Sequence, residues 1–221
     1  MLDQLSRIWA KYSFVYWKGL LGTLWLSAVT VFFATLLGTV LAVLKLSKFK
    51  PAQWIVDIYV EIIRGTPVLL QIYFFWLLLP RLASIELSDT QSIIIALVVN
   101  ASAYVCEIIR AGIQAVDVGQ QEAGLSLGLT EFHTFMRIIL PQAIKNILPA
   151  LVNEFINMIK QTSLASVFFI NELTTSYRTV QSTTFLAIPA LLISGIIYFV
   201  VTFTLTRGLN FFEKRLKAND R

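Results

Sequence analysis

Charged residues are scarce in this chain of 221 residues. Asp, Glu, Lys and Arg make up 14% of it, whereas a soluble domain carries about 25%. Hydrophobic residues make up 57% of the chain. This balance excludes a disordered chain, a nucleic-acid-binding arm and most soluble enzymes, and it predicts a membrane protein that binds no nucleic acid.

Cysteine and histidine are almost absent. Cys106 and His133 are the single examples of each, so we expect no internal disulfide and no His/Cys metal cluster. No nucleophile–base constellation is apparent. The Gly-x-x-x-x-Gly-Lys-Ser/Thr phosphate-binding motif is missing too, since no glycine is followed by lysine. These absences argue against an enzyme and against a cofactor bound by this chain.

Long apolar runs predict an all-α membrane protein with about five transmembrane helices. A helix needs about 20 predominantly apolar residues to cross the hydrocarbon core. Residues 19–44 and 179–206 contain no charge at all. Three more spans are predicted within residues 55–80, 90–116 and 147–169. Together they would form a single membrane domain.

Lysine and arginine are unevenly divided between the two ends of these spans. With the C-terminus in the cytoplasm, 11 of the 18 basic residues lie in cytoplasmic segments and 5 lie outside; Arg64 and Lys160 fall within spans. Because basic residues favour the cytoplasmic side, we expect the N-terminus outside. Residues 1–18 mix basic and aromatic side chains and suit an interfacial segment, with a partly ordered tail as the alternative.

The most polar long stretch, residues 117–146, is predicted to be a cytoplasmic loop with two short helices. Asp117 can cap the first helix and Gly128 can end it. Thr130 can cap the second helix, and prolines at 141 and 149 are expected to interrupt the chain after that helix. Four residues at helical spacing give the second helix one apolar face: Phe132, Phe135, Met136 and Ile139.

One pattern in this loop resembles the EAA loop of ABC-importer permeases. The family pattern is Glu-Ala-Ala, three residues, Gly, nine residues and then Ile-x-Leu-Pro. Glu122, Ala123, Gly128 and Pro141 fall at this spacing, whereas Gly124 replaces the second alanine. The replacement slightly weakens helix propensity. The resemblance implies that these residues contact a separate ATPase subunit: Glu122, Ala123, Gly124, Leu125, Ser126, Leu127, Gly128, Phe132 and Pro141.

Four other segments are similar to the polar amino-acid branch of this family: residues 61–67, 103–110, 119–122 and 160–164. The resemblance implies a multi-pass subunit in a bacterial cytoplasmic membrane that imports a polar amino acid, a basic one among the candidates, by alternating access. The implied partners are a second permease subunit (identical or paralogous), two ATP-binding cassette subunits that carry ATP and Mg²⁺, and an extracytoplasmic amino-acid-binding protein.

The second predicted span contains a helix-breaking sequence. Gly65 weakens the helix and Pro67 pushes Thr66 away from helical geometry. If a new helix began after this break, Thr66 would be its N-cap. The free N–H groups at the start of that half-helix would then face a substrate carboxylate near Thr66 and Gln71. A simple kink is the alternative.

Polar residues on the fourth predicted span form two stripes, which must face protein or water rather than lipid. They either line a pathway or hold subunits together. If they line a pathway, Glu154, Asn157 and Gln161 would receive the ammonium group or side chain of the substrate. The full candidate set for substrate binding is Glu61, Arg64, Thr66, Gln71, Asn153, Glu154, Asn157, Lys160 and Gln161.

Residue spacing also predicts packing contacts. Glu107 and Arg110 lie three apart on one helix face and are expected to pair, and Glu61 and Arg64 have the same spacing. Small residues recur at every fourth position of the first span and predict the close approach of another helix: Ala34, Gly38 and Ala42.

Two other functional classes remain open. In an ion-coupled secondary transporter or channel, Glu61, Glu107 and Glu154 would carry protons or ions. The lack of a detectable internal repeat and the large cytoplasmic loop count against that class. A membrane enzyme fits worst, because no catalytic constellation is apparent.

Overall fold

The structure, a computed structural model, describes residues 1–83 and 86–218. This part of the chain contains helices and no strands, which confirms the predicted all-α class. The helices are α1 (Leu2–Leu46), α2 (Lys50–Gly65), α3 (Val68–Ala83), α4 (Asp89–Gln114), α5 (Val118–Ser126), α6 (Glu131–Thr134), α7 (Leu140–Gln161), α8 (Leu173–Thr184) and α9 (Ala187–Ala218). A π-helical segment, Phe135–Ile139, joins α6 to α7, and a 3₁₀ segment, Thr162–Phe168, follows α7.

Four helical runs are long and apolar enough to cross a membrane: α1, α4, α9 and the run from Glu131 to Phe168. The pair α2 and α3 passes the same test together and is bent by 108° at its break. The expected number of spans, about five, is confirmed. The predicted start of the last span is wrong, because Phe185 takes a left-handed φ of 58° that ends α8. Residues 179–184 therefore belong to α8.

Residues 2–18 form the first part of α1 and are not a separate helix. The whole helix has 45 residues and is about 68 Å long at 1.5 Å per residue. Its first turns pack against α8 and α9, where Ile8 is buried and the Tyr16 hydroxyl donates to the carbonyl oxygen of Ala190 at 3.2 Å. These contacts order the segment, so it is not a tail.

The predicted close approach to the first span is confirmed between α1 and α4. Ala34 and Ala42 are fully buried. A Cβ atom added to Gly38 would lie 2.7 Å from the Val105 side chain and 2.9 Å from the Ser102 carbonyl oxygen. The small residues on α1 therefore let the two backbones come close, and their contact forms the centre of the bundle.

A buried carboxylate anchors the start of α8. Glu172 is fully buried and accepts hydrogen bonds from the Thr174 amide at 2.7 Å and the Tyr198 hydroxyl at 3.0 Å. The Thr175 amide also donates to it. Burial raises the pKa of Glu172, and these hydrogen bonds act against that rise. The adjacent amide of Leu173 donates to the Thr23 hydroxyl at 3.0 Å, which ties α8 to α1.

Candidate functional site

Helix α5 begins and ends where the sequence predicts. The Asp117 carboxylate accepts from the Gly119 amide at 2.7 Å, as an N-cap does. Gly128 has φ +82°, a left-handed conformation that suits glycine after a helix. The Leu129 amide then donates to the Gly124 carbonyl oxygen at 3.1 Å. Both ends of this nine-residue helix are therefore fixed by local contacts.

The second predicted helix does not stand alone. Thr130 caps it as expected, accepting from the His133 amide at 3.3 Å. The chain then continues through the π-helical segment into α7, so the predicted interruption at Pro141 and Pro149 is wrong. Because a proline ring clashes with the turn before it, the wider π turn ahead of Pro141 accommodates the ring.

The loop presents an exposed surface that includes large apolar side chains. Every residue from 118 to 128 is exposed except Gly124, and Phe132 and Pro141 are exposed as well. Leu127 is 82% exposed and Phe132 is 68% exposed. The predicted single apolar face is wrong, because Ile139 is buried whereas Phe132 and Met136 are not. The π turn lies between these residues and shifts their angular positions.

The break between α2 and α3 is confirmed, and it is far sharper than a kink. Thr66 has extended backbone angles, φ −119° and ψ 147°. Its predicted N-cap role is wrong, because its hydroxyl donates back to the Ile62 carbonyl oxygen at 2.8 Å. The Gln71 side-chain amide instead satisfies the end of α2, donating to the Ile63 carbonyl oxygen at 2.7 Å and to the Thr66 hydroxyl at 2.8 Å. Thr66 and Gln71 thus hold the break together.

Asn100 of α4 completes this network and is not among the residues predicted from the sequence. Its side-chain amide donates to Oε1 of Gln71 at 2.9 Å, and it is 2% exposed. A polar residue inside a predicted span was the available signal.

An ionic cluster links α1, α2 and α4 beside the break. Glu107 accepts from Arg110 at 2.9 Å, which confirms the predicted pair, and from Lys45 at 2.8 Å. Arg64 lies 3.6 Å from Glu107 and stacks over the Tyr104 ring at 5.4 Å. Among the described ion pairs, Arg64 is therefore joined to Glu107 and not to Glu61, which is exposed.

A cavity of about 690 Å³ is lined by two of the candidate substrate residues, Arg64 and Glu154. Glu154 is 6% exposed, and within residues 1–83 and 86–218 its Oε1 atom has no hydrogen-bond partner. The wall of the cavity includes Arg64, Tyr104, Glu107, Lys145, Asn146 and Glu154.

The remaining candidates lie elsewhere. Asn157, Lys160 and Gln161 line a second, more open pocket of about 420 Å³. Asn153 and Glu61 are exposed and line neither cavity. Glu154 therefore lines a different cavity from Asn157 and Gln161, although the Asn157 side chain lies within hydrogen-bonding distance of its carboxyl group.

Comparison with known proteins matches this architecture. Residues 34–218 match the family described as binding-protein-dependent transport system inner membrane component. The arginine transport system permease protein ArtQ of Bacillus subtilis (strain 168) is 37% identical over 203 residues, covering 92% of this chain and 93% of ArtQ. The probable glutamine ABC transporter permease protein GlnM of the same organism is 38% identical over 205 residues, covering 93% and 94%.

Solved structures share the fold. A crystal structure of an amino acid ABC transporter with histidines has a TM-score of 0.89 and 42% identity, covering 93% of this chain and 96% of that chain. The MetNI methionine ABC transporter has a TM-score of 0.76 at 14% identity, a likeness of fold alone. This chain belongs to the family of binding-protein-dependent transport system inner membrane components and is the permease subunit of an amino-acid ABC importer.

Proposed function

We propose that this chain imports a polar amino acid by alternating access, driven by ATP hydrolysis on two separate ATPase subunits that grip α5. The one observation that carries this proposal is the build of α5. It is a short helix with both ends fixed, and all its residues but Gly124 are exposed. A motor can move such an element as a rigid body, and the apolar side chains of Leu127 and Phe132 supply a docking surface.

The cavity beside the break supports a zwitterionic substrate. Arg64 offers a positive charge on its wall, and Glu154 offers a carboxylate whose Oε1 has no partner among the described residues. An amino acid carries both complementary groups. We therefore place its carboxylate towards Arg64 and its ammonium group towards Glu154, with Asn157, Lys160 and Gln161 further along the pathway.

The arrangement of the complex follows from this function. Two permease subunits would enclose the pathway, and a binding protein would deliver the amino acid from outside a bacterial inner membrane. The N-terminus would lie outside and α5 in the cytoplasm, where ATP is available. The basic residues counted on that side support this orientation.

A surface substitution tests the coupling role. Leu127→Asp adds a charge to an exposed position, so the permease should fold while co-purification of the ATPase and ATP-driven uptake into proteoliposomes are lost. Leu2→Asp is the matched control, because Leu2 is 83% exposed at the start of α1. Normal uptake by the Leu127→Asp complex would refute the proposal.

The same vesicles separate the importer from the alternative of an ion-coupled transporter. Uptake should require ATP on the side of the membrane that carries the ATPase subunits. It should continue when an uncoupler removes the proton gradient. Uptake that continues without ATP and stops with the uncoupler would favour ion coupling through residues such as Glu154.

A further inference from the structure

We propose that Thr134 is a positioning residue for the coupling of ATP hydrolysis to transport. Its contact with Gly124 sets how α5 is held against the helical run from Glu131 to Phe168, which contains α7. This inference rests on the proposed role of α5 as the element that the ATPase moves. It concerns how motion of α5 reaches the membrane helices, a step in which the exposed surface of α5 takes no part.

The contact leaves no room for a side chain at position 124. A Cβ atom on Gly124 would lie 2.6 Å from Cγ2 and 2.9 Å from Oγ1 of Thr134. The next atom, Cδ1 of Ile138, is at 3.2 Å. Since alanine forms helices more readily than glycine, the helix itself does not call for glycine here. The contact with Thr134 does, and it explains the departure from Glu-Ala-Ala.

Thr134 acts in this contact through its shape. The residue is fully buried, and within the described chain its hydroxyl has no hydrogen-bond partner. Buried hydroxyls are normally paired, and threonine in a helix often donates to the carbonyl three or four residues earlier. An unpaired hydroxyl packed on glycine therefore fills space against α5, and a valine side chain would fill it equally well.

The position of Thr134 in the chain connects its contact with Gly124 to the membrane helices. Thr134 ends α6, and the π-helical segment that begins at Phe135 continues directly into α7. Helix α7 carries Glu154 to the cavity wall. Because packed side chains resist compression, a displacement of α5 pushes on Thr134 and so on the helical run that reaches the cavity.

The experiment compares variants at positions 124, 134 and 208 in the full complex reconstituted with its ATPase subunits and binding protein. The readout is the number of amino acids imported per ATP hydrolysed, which a change in folding yield alone does not alter. Gly124→Ala should lower this ratio by about threefold or more, within the range for residues on coupling paths. Adding Thr134→Ala should restore it, since both close atoms are removed. Gly208→Ala is the control, because nothing lies within 4 Å of its added Cβ.

Single changes at Thr134 give the test a second arm if Gly124→Ala does not assemble. Thr134→Val keeps the shape and should keep the ratio, whereas Thr134→Ala opens the contact and should lower it. The inference is overturned if Gly124→Ala leaves the ratio normal, if the double variant is no better than Gly124→Ala, or if Thr134→Val is as damaging as Thr134→Ala. Leu127→Asp reports on the proposed function separately: if it stops uptake while these variants stay normal, only the role of Thr134 fails.

Discussion

The side-chain amide of Asn100 donates to Oε1 of Gln71 at 2.9 Å, and this hydrogen bond joins α4 to the break between α2 and α3. Gln71 in turn donates to the Ile63 carbonyl oxygen at the end of α2. Both side chains are at least nine-tenths buried. The geometry of the broken span therefore depends on a contact between residues 29 positions apart in the sequence.

Removing one partner of this pair should destabilise the fold. Asn100→Leu leaves Oε1 of Gln71 buried and unpaired, which costs about 1–3 kcal/mol. We expect a lower midpoint of thermal unfolding in nanodiscs for Asn100→Leu than for Asn153→Leu, since Asn153 is exposed. Equal midpoints for the two variants would show that the hydrogen bond contributes little.

Neutralising Glu154 should weaken substrate binding. Hydrogen bonds to charged groups contribute about 1.5–3 kcal/mol, so the concentration for half-maximal uptake should rise about tenfold or more in Glu154→Gln. Glu61→Gln should leave it unchanged, because Glu61 is exposed and outside the cavity. Concentration-dependent uptake by the reconstituted complex is the measurement. An unchanged value for Glu154→Gln removes this residue from the site.

The turn after α5 should tolerate only residues that accept a left-handed backbone. Gly128 has φ +82° and open space around it, so Gly128→Ala meets no steric contact and costs about 1–2 kcal/mol in backbone strain. We expect reduced ATP-driven uptake for Gly128→Ala and a milder effect for Gly128→Asn, since asparagine visits this conformation more readily. Equal uptake by both variants would mean that the turn conformation does not matter.

The buried carboxyl of Glu172 should make stability depend on pH. Burial raises its pKa above the ordinary value, so between the two values the folded state binds more protons than the unfolded state. The free energy of unfolding then falls as pH rises through that window. In Glu172→Gln, the midpoint of thermal unfolding should decrease less with rising pH than it does in the wild type. An identical slope in wild type and variant would assign the dependence to other groups.

Local signals in the sequence were enough to predict the helix ends and the break. Asp117, Gly128 and Thr130 act on backbone groups within a few residues. Gly65 and Pro67 likewise break the helix through their own backbone preferences.

Contacts between distant segments account for what the sequence did not reveal. Thr66 accepts from Gln71, and Asn100 in turn donates to Gln71 from a distant helix, a contact that no local pattern encodes. The space required at Gly124 depends on how α5 packs on Thr134 of α6. The separation of Glu154 from Gln161 depends on how the helices pack around α7.

A cross-link between α5 and the ATPase tests the central claim most directly. Cys106, the single cysteine of this chain, is buried, so Leu127→Cys supplies the one exposed thiol of the permease. In the assembled complex, a short thiol–amine cross-linker should join Leu127→Cys to an ATPase subunit and stop ATP-driven uptake, and Leu2→Cys should do neither. If Leu127→Cys forms no cross-link to the ATPase, or if uptake continues after it forms, then α5 is not the element through which ATP hydrolysis drives transport.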